Sequence, residues 1–177
     1  MRGSLLAAAL FALTLAGCAS TGTQMTAASG SEKHPEARLY DASRNAAADV
    51  DAALSRARSS GNHILIVLGA NWCHDSRAFA GWTETPRFKE LLGYHYETVF
   101  VNVGMPQTGD GHNIEIARRF GIDEIVGTPT VLILSPSGSL LNGETAGSWR
   151  NAASRTEQSI YEELAGYIQH DPEVVAE

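Results

Sequence analysis

Gly69-Ala70-Asn71-Trp72-Cys73-His74-Asp75-Ser76-Arg77 joins an apolar run, residues 63–68, to a segment in which Ala78, Phe79 and Trp82 share one helical face. The run is continuously apolar and rich in branched side chains, which reads as a central strand covered on both faces. A strand therefore delivers Cys73 to the first turn of a helix. There the unpaired N–H groups and the positive end of the helix dipole favour a thiolate over a thiol, whose free pKa is about 8.5. Cys73 is the candidate nucleophile.

Upstream of this stretch, Asp41 or Ser43 can cap a helix running to about residue 59. Its apolar stripe is Ala46, Val50, Ala53, Leu54 and Ala57, and Gly61-Asn62 ends it. Downstream, Thr85-Pro86 sets a cap and a first-turn proline for a short helix with Phe88, Leu91 and Leu92 inward. Residues 97–103 read as a second strand, 104–111 as a loop, 113–120 as a short helix stopped at Gly121, and 130–134 as a third strand. The turn 135–138 leads to a fourth, antiparallel strand at 139–141, and 142–150 is turn-like. A capping box, Ser154-x-x-Glu157, opens a last helix with Ile160, Leu164, Tyr167 and Ile168 on its buried face. Crossovers demand parallel pairing early and the tight turn an antiparallel hairpin late. The fold class is α/β, with a central mixed sheet of about four strands and helices on both faces.

The chain has 177 residues, 44% of them hydrophobic and 19% charged, which suits one globular domain with appendages. A net charge of −7 argues against nucleic acid or anionic lipid headgroups as partners. Met1-Arg2-Gly3-Ser4 followed by an apolar run over 5–16 has the layout of a signal peptide, too short to span a bilayer. Leu15-Ala16-Gly17-Cys18 resembles the lipobox of bacterial lipoproteins, which implies cleavage before Cys18, lipid on its sulfur and a membrane anchor. An ordinary secretory peptide is the alternative. Residues 1–17 are thus assigned to the signal, 18–35 to the lipidated cysteine and a flexible Ser/Thr/Gly/Ala tether, and 36–177 to the domain. With Cys18 lipidated, Cys73 is the one free thiol and no internal disulfide can form.

The element order, Trp72-Cys73 at the end of the first long strand, and Gly127-Thr128-Pro129-Thr130 before the third strand together resemble the thioredoxin family over roughly residues 40–170. Gly69-Ala70-Asn71-Trp72-Cys73, Arg77 and Thr85-Pro86-x-Phe88 look most like its bacterial periplasmic branch, which includes the thioredoxin-like domain of electron-importing thiol reductases. The resemblance implies that Pro129 is cis and faces Cys73, and that the Thr128 backbone pairs with an extended substrate peptide. It places Trp72 and His74 beside the bound substrate. Trp72 reads as a lid over the thiol, with a plain core tryptophan as the alternative.

The sequence departs from that family twice. Ser76 stands where the resolving cysteine belongs, and Val67 replaces a buried acid six residues before the nucleophile. A hydroxyl cannot attack a mixed disulfide, so an outside thiol must release Cys73. Ser76 can instead donate a hydrogen bond to the Cys73 sulfur; Asp75 opposes the thiolate by like charge and His74, when protonated, supports it. The sequence calls for no cofactor and no resident metal. A soft-metal site of Cys73, His74 and His112 is a minor reading, because adjacent helical residues diverge.

The leading functional expectation is an envelope thiol–disulfide oxidoreductase without a resolving cysteine, working through mixed disulfides on Cys73. Its partners would be protein thiols or disulfides, a small resolving thiol, and a membrane held through Cys18. Ala19 after that cysteine resembles outer-membrane sorting, which points to the periplasmic side of the outer rather than the inner membrane. The competing expectation is a non-catalytic binding module on the same fold.

Overall fold

The computed structural model describes residues 34–169, all within one compact unit. The expected signal segment, Cys18 and most of the tether lie outside the described residues.

The strand β1 (His63–Gly69) is buried at every position and occupies the middle of a three-stranded sheet. On one side it pairs in parallel with β2 (Tyr96–Asn102). On the other it pairs antiparallel with a later strand, residues 130–134. Alternation along β1 splits the core in two. Ile64, Ile66 and Leu68 pack on one face with helix α1 (Ala46–Ser60), through Val50, Ala53 and Leu54. Leu65 and Val67 face the other layer, where Phe79, Phe88, Trp149, Ile160 and Leu164 gather. Each of these fully buried large side chains contributes about 1.5–3 kcal/mol through removal of apolar surface from water.

The cap of helix α1, Asn45, lies two residues beyond the latest expected cap, Ser43. The Asp41 carboxylate already accepts from the Ser43 N–H and hydroxyl, at 2.8 and 2.7 Å, so the Asn45 side chain caps the helix by accepting from Ala48 N. The helix α2 (His74–Thr83) leaves β1 directly, and α3 (Pro86–His95) follows with Thr85 as its cap and Pro86 in the first turn, as the sequence indicates.

Residues 104–111, read as a loop, instead form a small second sheet. Here β3 (Gly104–Met105) pairs with β4 (Asp110–Gly111) across a 3-10 turn at Pro106–Thr108. After α4 (Ile114–Arg119), the third strand of the main sheet is β5 (Thr130–Leu134).

The expected fourth strand shrinks to a single bridge between Leu134 and Leu140. Leu141 N donates to Ile133 O, but the chain then turns away. The Asn142 side chain takes over the edge, accepting from Ile133 N at 2.9 Å and donating to Val131 O at 2.8 Å. One buried amide thus stands in for a strand. The following turn-like stretch is a kinked 3-10 helix, Ala146–Ser154, packed on α2.

The final helix α5 (Glu157–Gln169) does not use the expected Ser154 box, because Ser154 ends the 3-10 helix and donates to Asn151 O. Thr156 caps instead, its hydroxyl accepting from Ser159 N. Among the described residues no helix is long and apolar enough to cross a membrane.

Residues 34–40 lie against α2 as a strap, so that His34 and Pro35, assigned to the end of the tether, join the first residues of the domain. Ala37 N donates to Arg77 O, Arg38 donates to Asn71 O, and Tyr40 is fully buried with its hydroxyl donating to Ser76 O. Gly81 makes this approach feasible, since a Cβ there would collide with the Pro35 carbonyl.

Candidate active site

Cys73 is the N-cap of α2, with extended backbone. Its N–H donates to Ala70 O, closing the turn out of β1, and its carbonyl accepts the first helical bond from Arg77 N. The side chain makes no capping bond and is half-buried. The thiol donates to Thr128 O at 3.1 Å. The Thr128–Pro129 peptide bond is cis, as the resemblance implies, so that Cys73, Thr128 and Pro129 come together.

Trp72 is 54% exposed, which overturns the core alternative. Its indole N–H donates to Gly104 O at 2.9 Å and so pins the β3–β4 hairpin beside the thiol. Gln107 Nε2 donates to Ile125 O, tying the same hairpin to the segment that leads into Thr128. Trp72, Met105 and Val126 are all exposed large apolar residues on these linked elements.

Ser76 differs from its expected role. It is fully buried, and its hydroxyl accepts from Ala70 N at 3.4 Å rather than bonding Cys73. The reason is steric: Gly69 leaves a gap that Ser76 and Tyr40 fill, and a Cβ on Gly69 would lie 2.6 Å from the Tyr40 ring and 2.7 Å from Ser76 Oγ. Burial in this packing pushes the Tyr40 phenol up, with smaller influences from its bond to Ser76 and from Cys73. Asp75 turns away as well, its carboxylate accepting from Ala153 N at 2.9 Å on the 3-10 helix. Val67 sits fully buried between Phe100 and Val131 on the neighbouring strands.

His74 is exposed, and strap residues occupy both of its nitrogens: Nδ1 lies 3.1 Å from Glu36 Oε1 and Nε2 lies 3.1 Å from His34 Nε2. Arg77 donates to Glu36 Oε2 at 3.0 Å and to Trp72 O at 2.8 Å. The Arg77 guanidinium chiefly, with a lesser share from His74, holds the Glu36 carboxyl below the usual carboxylate range against an opposing desolvation. The minor grouping of Cys73, His74 and His112 is not assembled. His74 is turned to the strap, and His112 lies against Gly104. His34, Glu36, Tyr40 and Asn71 were missed by the sequence reading. Their contacts link the strap to the thiol loop across some thirty to forty residues, as in Asn71 Nδ2 donating to Tyr40 O, and no periodicity marks them.

A mixed α/β sheet whose first strand hands a half-buried cysteine to a helix start, opposite a cis-prolyl turn, defines a thiol protein of a particular architecture. Residues 45–136 match the thioredoxin-like family, and the chain belongs to it. A search of curated proteins finds no match. Among solved structures, the crystal structure of disulphide isomerase from Xylella fastidiosa Temecula1 is similar, at 28% identity with a TM-score of 0.66, covering 73% of this chain and 96% of that one.

Proposed function

We propose that the chain is a monothiol disulfide-exchange protein acting on protein partners, with Cys73 as nucleophile. The observation that carries this reading is the half-buried Cys73 thiol, uncapped at the start of α2 and 3.1 Å from the carbonyl of Thr128. The Cys73 sulfur, having given up its proton to solvent, attacks one sulfur of a partner disulfide. A Cys73–partner S–S bond forms, the partner's own S–S bond breaks, and its second sulfur leaves as a thiolate that takes a proton. An external thiol, as thiolate, then attacks the partner sulfur of the mixed disulfide. That bond breaks, Cys73 departs with the electron pair, and the partner is left disulfide-bonded to the incoming thiol.

Ser76 offers no sulfur for this second step and points into the core, which supports release by an outside thiol. The exposed Trp72, Met105 and Val126, on the thiol loop and the segments hydrogen-bonded to it, support a protein rather than a small disulfide as partner. The disulphide isomerase similarity supports the same chemistry. The proposal extends to an envelope setting in which Cys18 carries lipid and holds the domain on the periplasmic side of a membrane; the support is the lipobox-like Leu15-Ala16-Gly17-Cys18 alone. Metabolic labelling with a radioactive fatty acid should mark the parent and not Cys18→Ala.

The exchange reading is tested on non-reducing gels after rapid acid quenching and thiol alkylation. Partners should be trapped by the parent, released by added thiol, and missing from Cys73→Ala. Equal capture by Cys73→Ala would instead make the chain a binding module without thiol chemistry.

A further inference from the structure

The two imidazoles at the edge of the thiol helix meet in an arrangement that their own hydrogen bonds make electrostatically incomplete. His74 Nδ1 faces the Glu36 carboxylate at 3.1 Å, and a carboxylate in its charged form only accepts, so this nitrogen carries the hydrogen. His34 Nδ1 lies 3.4 Å from the Pro35 carbonyl, which also only accepts, and a hydrogen on that Nδ1 leaves Nε2 as a lone pair. In the neutral rings both Nε2 atoms are therefore lone-pair donors, and they stand 3.1 Å apart. The rings meet at 64° with centroids 4.6 Å apart, an edge-to-face approach rather than a stack. Two Nε2 atoms at that separation either share a hydrogen or converge on a cation.

We propose that His34 and His74 bind a divalent imidazole-seeking metal ion, zinc or copper(II), through their Nε2 atoms. Tetrahedral zinc with bonds of 2.0–2.1 Å requires neighbouring ligand nitrogens about 3.3 Å apart, so the observed pair needs only a few tenths of an ångström of adjustment. Glu36 is a positioning residue: its oxygens bond His74 Nδ1 and Arg77 Nε, an outer carboxylate that orients the ligand and selects its tautomer. The polar atoms of His34, Glu36 and His74 lie within 4.8 Å of one another, so ligands and outer carboxylate form one compact cluster. Both ligands are partly or fully exposed, so water can complete the coordination shell. Because His34 belongs to the strap and His74 is the first residue of α2, the ion would clamp the strap to the helix that carries Cys73.

The test uses the full-length chain in detergent with Cys18→Ser and Cys73→Ser, so that no thiol competes, titrated with zinc chloride by calorimetry. One zinc per chain is expected, with affinity falling at least tenfold in His34→Ala and in His74→Ala and unchanged in His112→Ala. Nitrogen-15 spectra should show both imidazoles as Nδ1–H tautomers without metal, and both Nε2 resonances moving on zinc addition. Glu36→Gln should weaken zinc about tenfold and give His74 a mixed tautomer. The proposal is overturned by equal zinc affinity in the parent, His34→Ala and His74→Ala. It is equally overturned by an absence of zinc binding to the parent.

Discussion

Cys73 and Ser76 sit at the cap and third residue of one helix, a single turn apart, and that turn decides how the site can release a partner. A thiol at position 76 would stand in the buried gap beside Gly69 and Tyr40 that Ser76 now fills. From the same helical turn it can attack the Cys73 sulfur of a mixed disulfide, forming an internal disulfide and expelling the partner as a thiolate that takes a proton, free of the concentration dependence of an outside thiol. Ser76→Cys should therefore shorten the life of a trapped Cys73 mixed disulfide by at least about tenfold at low external thiol, read by quenched non-reducing gels. Losing the Ala70 N–H to Ser76 bond should at the same time lower stability by about 1 kcal/mol. An unchanged lifetime in a folded variant would show that this position does not face the mixed disulfide. The sequence exposed the missing sulfur but misplaced its substitute's bond, because a serine in the first turn reads alike whether it points at the cap or into the core.

At the scale of elements, β5 and the strap show how contacts without a sequence period escape detection. The apolar run of β5 was evident, and so was a turn after it. The edge-capping by Asn142 was not, since a lone amide in a Gly-rich stretch carries no pattern. Asn142→Leu would leave Ile133 N and Val131 O buried without partners, at about 1–3 kcal/mol for each unsatisfied group. Urea unfolding should show a loss of about 2–6 kcal/mol with the m-value preserved.

The strap has a pH signature instead. Arg77 lowers the Glu36 pKa below its ordinary 4.5, so Glu36 favours the docked strap at all pH values above that. The contribution is lost as pH falls below 4.5 through the lowered folded value. The Ala37 amide resonance, whose N–H bonds Arg77 O, should shift towards an undocked position over that acid range in the parent. Glu36→Gln should show no such step, and an identical acid step in it would assign the transition to another group.

Across the whole molecule, the sheet divides a helix-α1 layer from an α2–α3–α5 layer, and Tyr40 belongs to the second although it precedes every helix. The apolar runs and caps made the layers legible, because strands and amphipathic helices advertise their buried faces. The same reasoning placed the end of the tether at Pro35, near the point where the strap begins. It put residues 36–40 in the domain without showing that they pack on α2, since a Pro-Glu-Ala-Arg sequence has no apolar period.

Tyr40 is completely buried, packs edge-on against Phe100, and binds Ser76 O beneath the thiol loop, while Asn71 and Asn102 both donate to its carbonyl. Removing a buried aromatic side chain costs about 3–5 kcal/mol, and here two amide donors would lose their acceptor as well. A chain starting at residue 34 should match the full-length chain within about 0.5 kcal/mol in urea unfolding. One starting at residue 41 should lose at least about 3 kcal/mol and slow its Cys73 exchange, because the Asn71–Trp72 turn loses its support. Equal stability of the two truncations would mean that the strap merely rests on the domain and takes no part in building the site.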